Sequence, residues 1–209
     1  MDGTLVDSMV YWQRLGREYL TAQGVTEGMD EVLERIKPMT MAESSALFIE
    51  AFGLPGTPES VMAEMNAVMD EHYRSDIPLK PGAAEYLAAL RKRGTKMCVA
   101  TATPEPLARA CLKRLGVLED LEFLLSCDAV GAGKDRPDVF LEAARRLGAA
   151  PAETAVFEDA MFALQTAKNA GFYTMGVWDA SGDKHWDATT ALADDTIRDW
   201  KAAAEALGF

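Results

Sequence analysis

The stretch 79–101, "LKPGAAEYLAALRKRGTKMCVAT", decides the fold, because two periodicities meet inside it. Ala83, Tyr86, Leu87 and Leu90 recur at the spacing of one helical face. After Gly94 the pattern becomes the short apolar run "KMCVAT", rich in strand formers and ending in a hydroxyl residue. The same alternation continues downstream. Helical faces recur at Leu107, Cys111 and Leu115 and again at Phe140, Ala143, Ala144 and Leu147, while "EFLLSC", "TAVFED" and "YTMGVW" supply further apolar runs. Runs that are apolar throughout, rather than every second residue, are buried on both faces, as strands are in a parallel sheet flanked by helices. The expected fold is therefore an α/β doubly wound parallel sheet.

Upstream, the chain has a different texture. From Met9 to Asp76 the apolar residues follow helical spacing alone, as in Trp12, Leu15 and Tyr19 or Val61, Met65 and Val68, which predicts four helices and no strand. Breaks are expected at Gly24, at Lys37-Pro38 and at Gly53 to Gly56, with Thr57-Pro58 opening the fourth helix. The expected organisation is an α/β core of residues 1–10 and 78–209 carrying an inserted α-helical cap, 11–77. The segment "DASGDKHWDATTALADD", 179–195, is expected to be a long surface loop.

Composition narrows the partners. Of 209 residues, 33 are acidic and 21 basic, a formal charge of −12 that repels nucleic acid and anionic membrane surfaces. Neither class of partner is expected, and the default is a cytoplasmic protein, monomeric or a weak homodimer. The three cysteines, Cys98, Cys111 and Cys127, lie far apart within apolar runs, as reduced core thiols do. A small phosphorylated metabolite remains compatible with the charge, since a few fixed donors and a metal outweigh a diffuse field.

Ligands of doubly wound sheets sit beyond the carboxyl ends of the strands. The polar residues there are Thr101 and Thr103, Lys134, and the pair Glu158-Asp159, with Asp2 near the start of the chain. Taken singly, each has an ordinary role. Thr101 is a β-branched strand end, Thr103 a helix N-cap, Lys134 a solvated loop lysine, Asp2 a frayed terminal residue, and Glu158 and Asp159 are acids favoured before a helix. Taken together, a hydroxyl, an ammonium and carboxylates form a phosphoryl-transfer site with oxygen ligands for Mg²⁺. Two rival motifs fail. "GAGK" is not a phosphate loop, because Asp128 and Asp135 stand where a glycine and a hydroxyl residue are needed, and Arg136 stands where a dinucleotide fingerprint needs its third glycine. His72 and His185 are expected to be surface or packing residues.

The ordered set "MDGTLVDS", "LKPGAAEYLAALRKRG", "CVATAT", "GKDRPDVFLEAARRLG" and "VFEDAMFALQTAKNAGF" resembles the haloacid dehalogenase superfamily, in its phosphatase and β-phosphoglucomutase-like branch with a helical cap. The resemblance spans essentially the whole chain. It implies that Asp2 is the general acid/base and a Mg²⁺ ligand through its carbonyl. Thr101 would bind the transferring phosphoryl group, Lys134 would neutralise it, and Glu158 and Asp159 would form the acidic pair of the metal site. It also implies a nucleophilic aspartate, in the position before Met1, at the end of an apolar strand in the middle of the sheet. This sequence contains neither, so the chain as written is expected to be inactive and to be a trimmed form of a longer protein. Departures from the pattern are Ala160 and Ala163 in the fourth motif and Asp135 after Lys134 in the third. The implied activity is phosphatase action on small phosphorylated metabolites, with a sugar phosphomutase or a non-catalytic binding protein as alternatives. Substrate contacts are expected from Thr103 and from Lys37 in the cap.

Overall fold

The computed structural model describes residues 1–36 and 39–208. The chain divides into two compact units, one made of Met1–Met9 with Asp76–Phe209 and the other of Val10–Ser75.

The Val10–Ser75 unit is helical among its described residues, with α1 (Met9–Ala22), α2 (Met29–Ile36), α3 (Met41–Phe52) and α4 (Pro58–Ser75). Local chemistry sets the ends. Thr40 Oγ1 accepts the Glu43 amide at 3.3 Å while Glu43 Oε2 accepts the Thr40 amide at 2.8 Å, a reciprocal cap that starts α3. Gly53 ends α3 at φ 63°, and Thr57 caps α4 just before Pro58 by accepting the Ser60 amide. Leu20, Phe48, Val61 and Tyr73 are buried at the heart of this unit. His72 has its Nε2 3.0 Å from Glu18, a packing and pairing role.

The larger unit alternates helix and strand: α5 (Ala83–Lys92), β1 (Cys98–Thr101), α6 (Glu105–Arg114), β2 (Phe123–Ser126), α7 (Asp138–Leu147), β3 (Ala155–Glu158), α8 (Met161–Asn169), β4 (Tyr173–Val177), α9 (Trp186–Leu192), β5 (Asp195–Ile197) and α10 (Trp200–Ala206). Every strand pair is parallel, with Cys98 opposite Phe123, Ala155 opposite Tyr173 and Met175 opposite Asp195. The sheet comes in two parts, β1-β2 and β3-β4-β5. The expected surface loop at 179–195 is corrected: it holds a 3-10 turn over Ala180–His185, helix α9 and the first residue of β5. Asp179 accepts the Ser181 amide at 2.8 Å and starts that turn, and buried Thr189 packs over Gly176, where a Cβ would stand 3.0 Å from its methyl, so a loop-like composition is ordered by tertiary contact.

Helices α7 and α8 bury Val139, Phe140, Ala143, Ala163 and Ala167 against Leu125 and Phe172, and the rings of Phe140 and Phe172 lie 6.3 Å apart. On α10, Trp200 stacks with Phe157, meets Tyr86 edge-on and donates its indole N–H to the Thr4 carbonyl at 3.0 Å. Asp199 caps that helix by accepting the Lys201 amide at 2.8 Å. Asp199→Ala is expected to cost about 1 kcal/mol in a urea melt, the usual worth of a lost N-cap.

Candidate active site

The first eight residues fold into a tight loop. The Met1 carbonyl accepts the amides of Thr4, Leu5 and Val6, which turns the chain back on itself, and Gly3 makes the turn at φ 63°. The loop is anchored to the returning chain: the Lys80 amide donates to the Leu5 carbonyl at 2.8 Å and the Asp7 amide to the Pro78 carbonyl at 2.9 Å. Lys80 is itself fixed, its buried ammonium donating to the Trp178 carbonyl at 2.7 Å and pairing with Asp179 at 2.8 Å.

That anchoring brings the separate motifs together. Asp2 accepts from Ser8 Oγ at 2.7 Å on one oxygen and from Thr103 Oγ1 at 2.7 Å on the other. Thr101, buried at the end of β1, accepts the Thr103 amide at 3.0 Å. Thr103 is thus not the helix cap expected from its place before Pro104; its hydroxyl orients Asp2, and Pro104 itself stands at the cap of α6. Lys134 pairs with Glu158 at the end of β3, and Glu158 also accepts the amides of Asp159 and Ala160 at 3.1 and 3.3 Å. Asp159 accepts from Thr4 Oγ1 at 2.8 Å. Lys37, the remaining expected contact, lies outside the described residues.

The electrostatics follow from burial. Desolvation works against the Lys134 ammonium, yet Glu158 more than offsets it and raises its pKa; reciprocally, burial pushes Glu158 up but Lys134 holds it below the usual carboxylate range. Burial and the neighbouring Glu158 push the Asp159 carboxyl up to about 6, against the Thr4 hydrogen bond. Burial, reinforced by Lys134, lowers the Met1 amine.

Among the described residues no group of three or more His, Cys, Asp or Glu is arranged to hold a metal. Mg²⁺ does not require one, since one or two carboxylates with carbonyl, water and substrate phosphate suffice. An all-oxygen donor set with a buried acid whose charged form is disfavoured fits such an ion. A Cβ at Gly3 would stand 2.2 Å from Asp159 Oδ2, so a side chain there would push that carboxylate aside. Gly3→Ala is expected to cost about 1–2 kcal/mol in a urea melt from the left-handed backbone alone, and to displace Asp159.

Sequence reasoning missed Thr4, Ser8 and Gly3, which orient the two acids. Their signal was the same "DGTLVDS" stretch: two hydroxyls flanking a glycine turn that carries an acid.

Known proteins resemble this chain in sequence and in fold. The family model described as haloacid dehalogenase-like hydrolase matches residues 1–171. Hexitol phosphatase A of Escherichia coli K12 is 31% identical over 182 residues, covering 85% of this chain and 80% of that protein. The β-phosphoglucomutase of Bacillus subtilis 168 is 26% identical over 193 residues, covering 85% and 80%. A haloacid dehalogenase family hydrolase from Deinococcus radiodurans R1, solved with bound phosphate and sodium, superposes with a TM-score of 0.73 at 23% identity, covering 100% of this chain and 93% of that one. Among the described residues no helix is long and apolar enough to cross a membrane.

Proposed function

Because the chain belongs to the haloacid dehalogenase-like hydrolases, we propose that it is a Mg²⁺-dependent phosphatase of small phosphorylated metabolites. The observation that carries this proposal is the convergence of Asp2, Thr101, Lys134 and Asp159 beyond the carboxyl ends of β1 and β3, joined by the hydroxyls of Thr103 and Thr4.

Each residue has a task set by its chemistry. Thr101 Oγ1 accepts the Thr103 amide and keeps its own proton for a phosphoryl oxygen. Lys134, charged beside Glu158, offsets the phosphoryl charge. Asp2, gripped on both oxygens, gives a proton to the departing ester oxygen as the phosphoryl group passes to a carboxylate, and takes one from water in the hydrolysis that follows. Asp159 and the Asp2 carbonyl would hold Mg²⁺, which would supply positive charge to the phosphate oxygens when bound. The accepting carboxylate has no counterpart in these residues at the position the family uses, so the 209-residue chain alone is expected to give no turnover.

The test is phosphate release from p-nitrophenyl phosphate and a hexitol phosphate with Mg²⁺. It compares this chain with a form extended ahead of Met1 by an apolar segment ending in aspartate. Turnover in the extended form alone supports the proposal. Silence in both, with folding and Mg²⁺ binding verified, overturns it. The β-phosphoglucomutase relative makes phosphomutase the second reading, recognised by phosphate returned to a sugar phosphate instead of released.

A further inference from the structure

Thr4 and Asp159 come from distant parts of the chain, and the 2.8 Å hydrogen bond between their side chains requires both backbones to be held in place. Trp200 touches both. Its indole N–H donates to the Thr4 carbonyl at 3.0 Å, and its ring stacks on Phe157, two residues before Asp159, at 5.9 Å with 24° between the planes. The Thr4 carbonyl shares a planar peptide unit with the Leu5 amide, which donates to the Met1 carbonyl at 2.8 Å, so that unit is gripped at both ends. Trp200 is fixed from behind as well. Tyr86 meets its ring edge-on at 5.0 Å, Asp199 caps its helix, and Gly82 lies so close beneath that helix start that a Cβ would collide with the Lys201 backbone. Trp200 and Thr4 are both buried, so removing the indole donor leaves the Thr4 carbonyl unpaired and one end of the peptide unit loose.

We propose that Trp200 is a positioning residue for the metal site: by holding the Thr4 carbonyl it places the Thr4 hydroxyl, which fixes the Asp159 carboxylate that would ligate Mg²⁺. The inference rests on the Mg²⁺ reading of Asp159 given above and extends it from the strand ends to helix α10. The indole nitrogen is the specific element. Any flat apolar ring packs between Phe157 and Tyr86, but only an indole also sends an N–H to the Asp2 loop. Groups that orient a ligating carboxylate typically change metal affinity 10–100-fold when removed, so a residue acting one step further out is expected to show a smaller effect that passes wholly through Thr4.

The test is a double-mutant cycle read by metal affinity, with no turnover. Mn²⁺, which takes the same octahedral oxygen donors as Mg²⁺, is titrated into the chain and its free fraction followed by electron paramagnetic resonance. Thr4→Val is expected to weaken binding about tenfold or more, Thr4→Ser to retain it, and Trp200→Phe, which keeps the ring and loses the N–H, to weaken it about three- to tenfold. In the double variant Trp200→Phe should add nothing, because no hydroxyl is left to misplace. Losses that multiply in the double variant, a Trp200→Phe chain that binds as the unaltered chain does, or a Thr4→Ser loss equal to that of Thr4→Val overturn the proposal. No Mn²⁺ binding by the unaltered chain overturns the metal reading beneath it, a result distinct from all of these. If the variants fail to fold, the unaltered chain decides: Mg²⁺ is expected to shift the Trp200 indole N–H resonance in nitrogen–proton correlation spectra, and an unmoved resonance at saturating Mg²⁺ overturns the relay.

Discussion

Asp2→Asn, made in the extended form of the chain, is expected to lower kcat for a hexitol phosphate about 10²–10⁴-fold, the range for loss of a positioned acid or base. Ser8 and Thr103 hold the two oxygens of Asp2, so the amide can occupy the same place and the loss is chemical. The loss should be smaller for p-nitrophenyl phosphate, whose leaving group departs without protonation. A steady-state comparison of the two substrates reads this difference. Equal losses on both would place the main loss in the activation of water, the step the two substrates share, rather than in leaving-group protonation, and an unchanged kcat would remove Asp2 from the chemistry.

Lys80→Met is expected to cost about 3–5 kcal/mol, because it strands the buried Asp179 carboxylate that Lys80 neutralises. Burial pushes the Asp179 carboxyl up, but its bonds to Lys80 and Ser181 prevail and hold it below its ordinary value. A depressed acid stabilises the fold in full above the unfolded carboxylate pKa of about 3.9, and that contribution drains away as pH falls through the folded value. In the methionine variant burial acts without Lys80, so the acid-side loss should shrink or change sign. Urea melts from about pH 3 to 7 would read both effects. Lys80→Met with Asp179→Asn should recover most of the loss; a double variant as weak as the single would place the cost in packing of the lysine stem.

The parts of the fold legible in the sequence were those with a repeated signal. Helices α1 to α4 and strands β1 to β4 announce themselves by period or by continuous apolarity. Strand β5 did not, because Asp195–Ile197 is three residues long with one buried side chain, and its pairing with β4 is a tertiary fact. Helix α9 was hidden behind the polar run that precedes it, with Thr189 its buried contact. At the site, the charged residues were visible because charge at a strand end is unusual. The hydroxyls of Thr4 and Ser8 were not, because a hydroxyl looks the same in sequence whether it faces water or a carboxylate.

The splice between Met9 and Asp76 has an architectural consequence. The chain leaves the α/β unit after Met9 and re-enters it at Asp76, and just inside those points the Asp7 amide donates to the Pro78 carbonyl at 2.9 Å. The exit and entry points are therefore neighbours, and the ends that any insert must meet are held by the host alone. The 66-residue helical unit, Val10–Ser75, is a cassette in the engineering sense: a short glycine linker closes the same junction, and a different insert can be carried through it with the Asp2 loop still pinned by Leu5, Lys80 and Trp200.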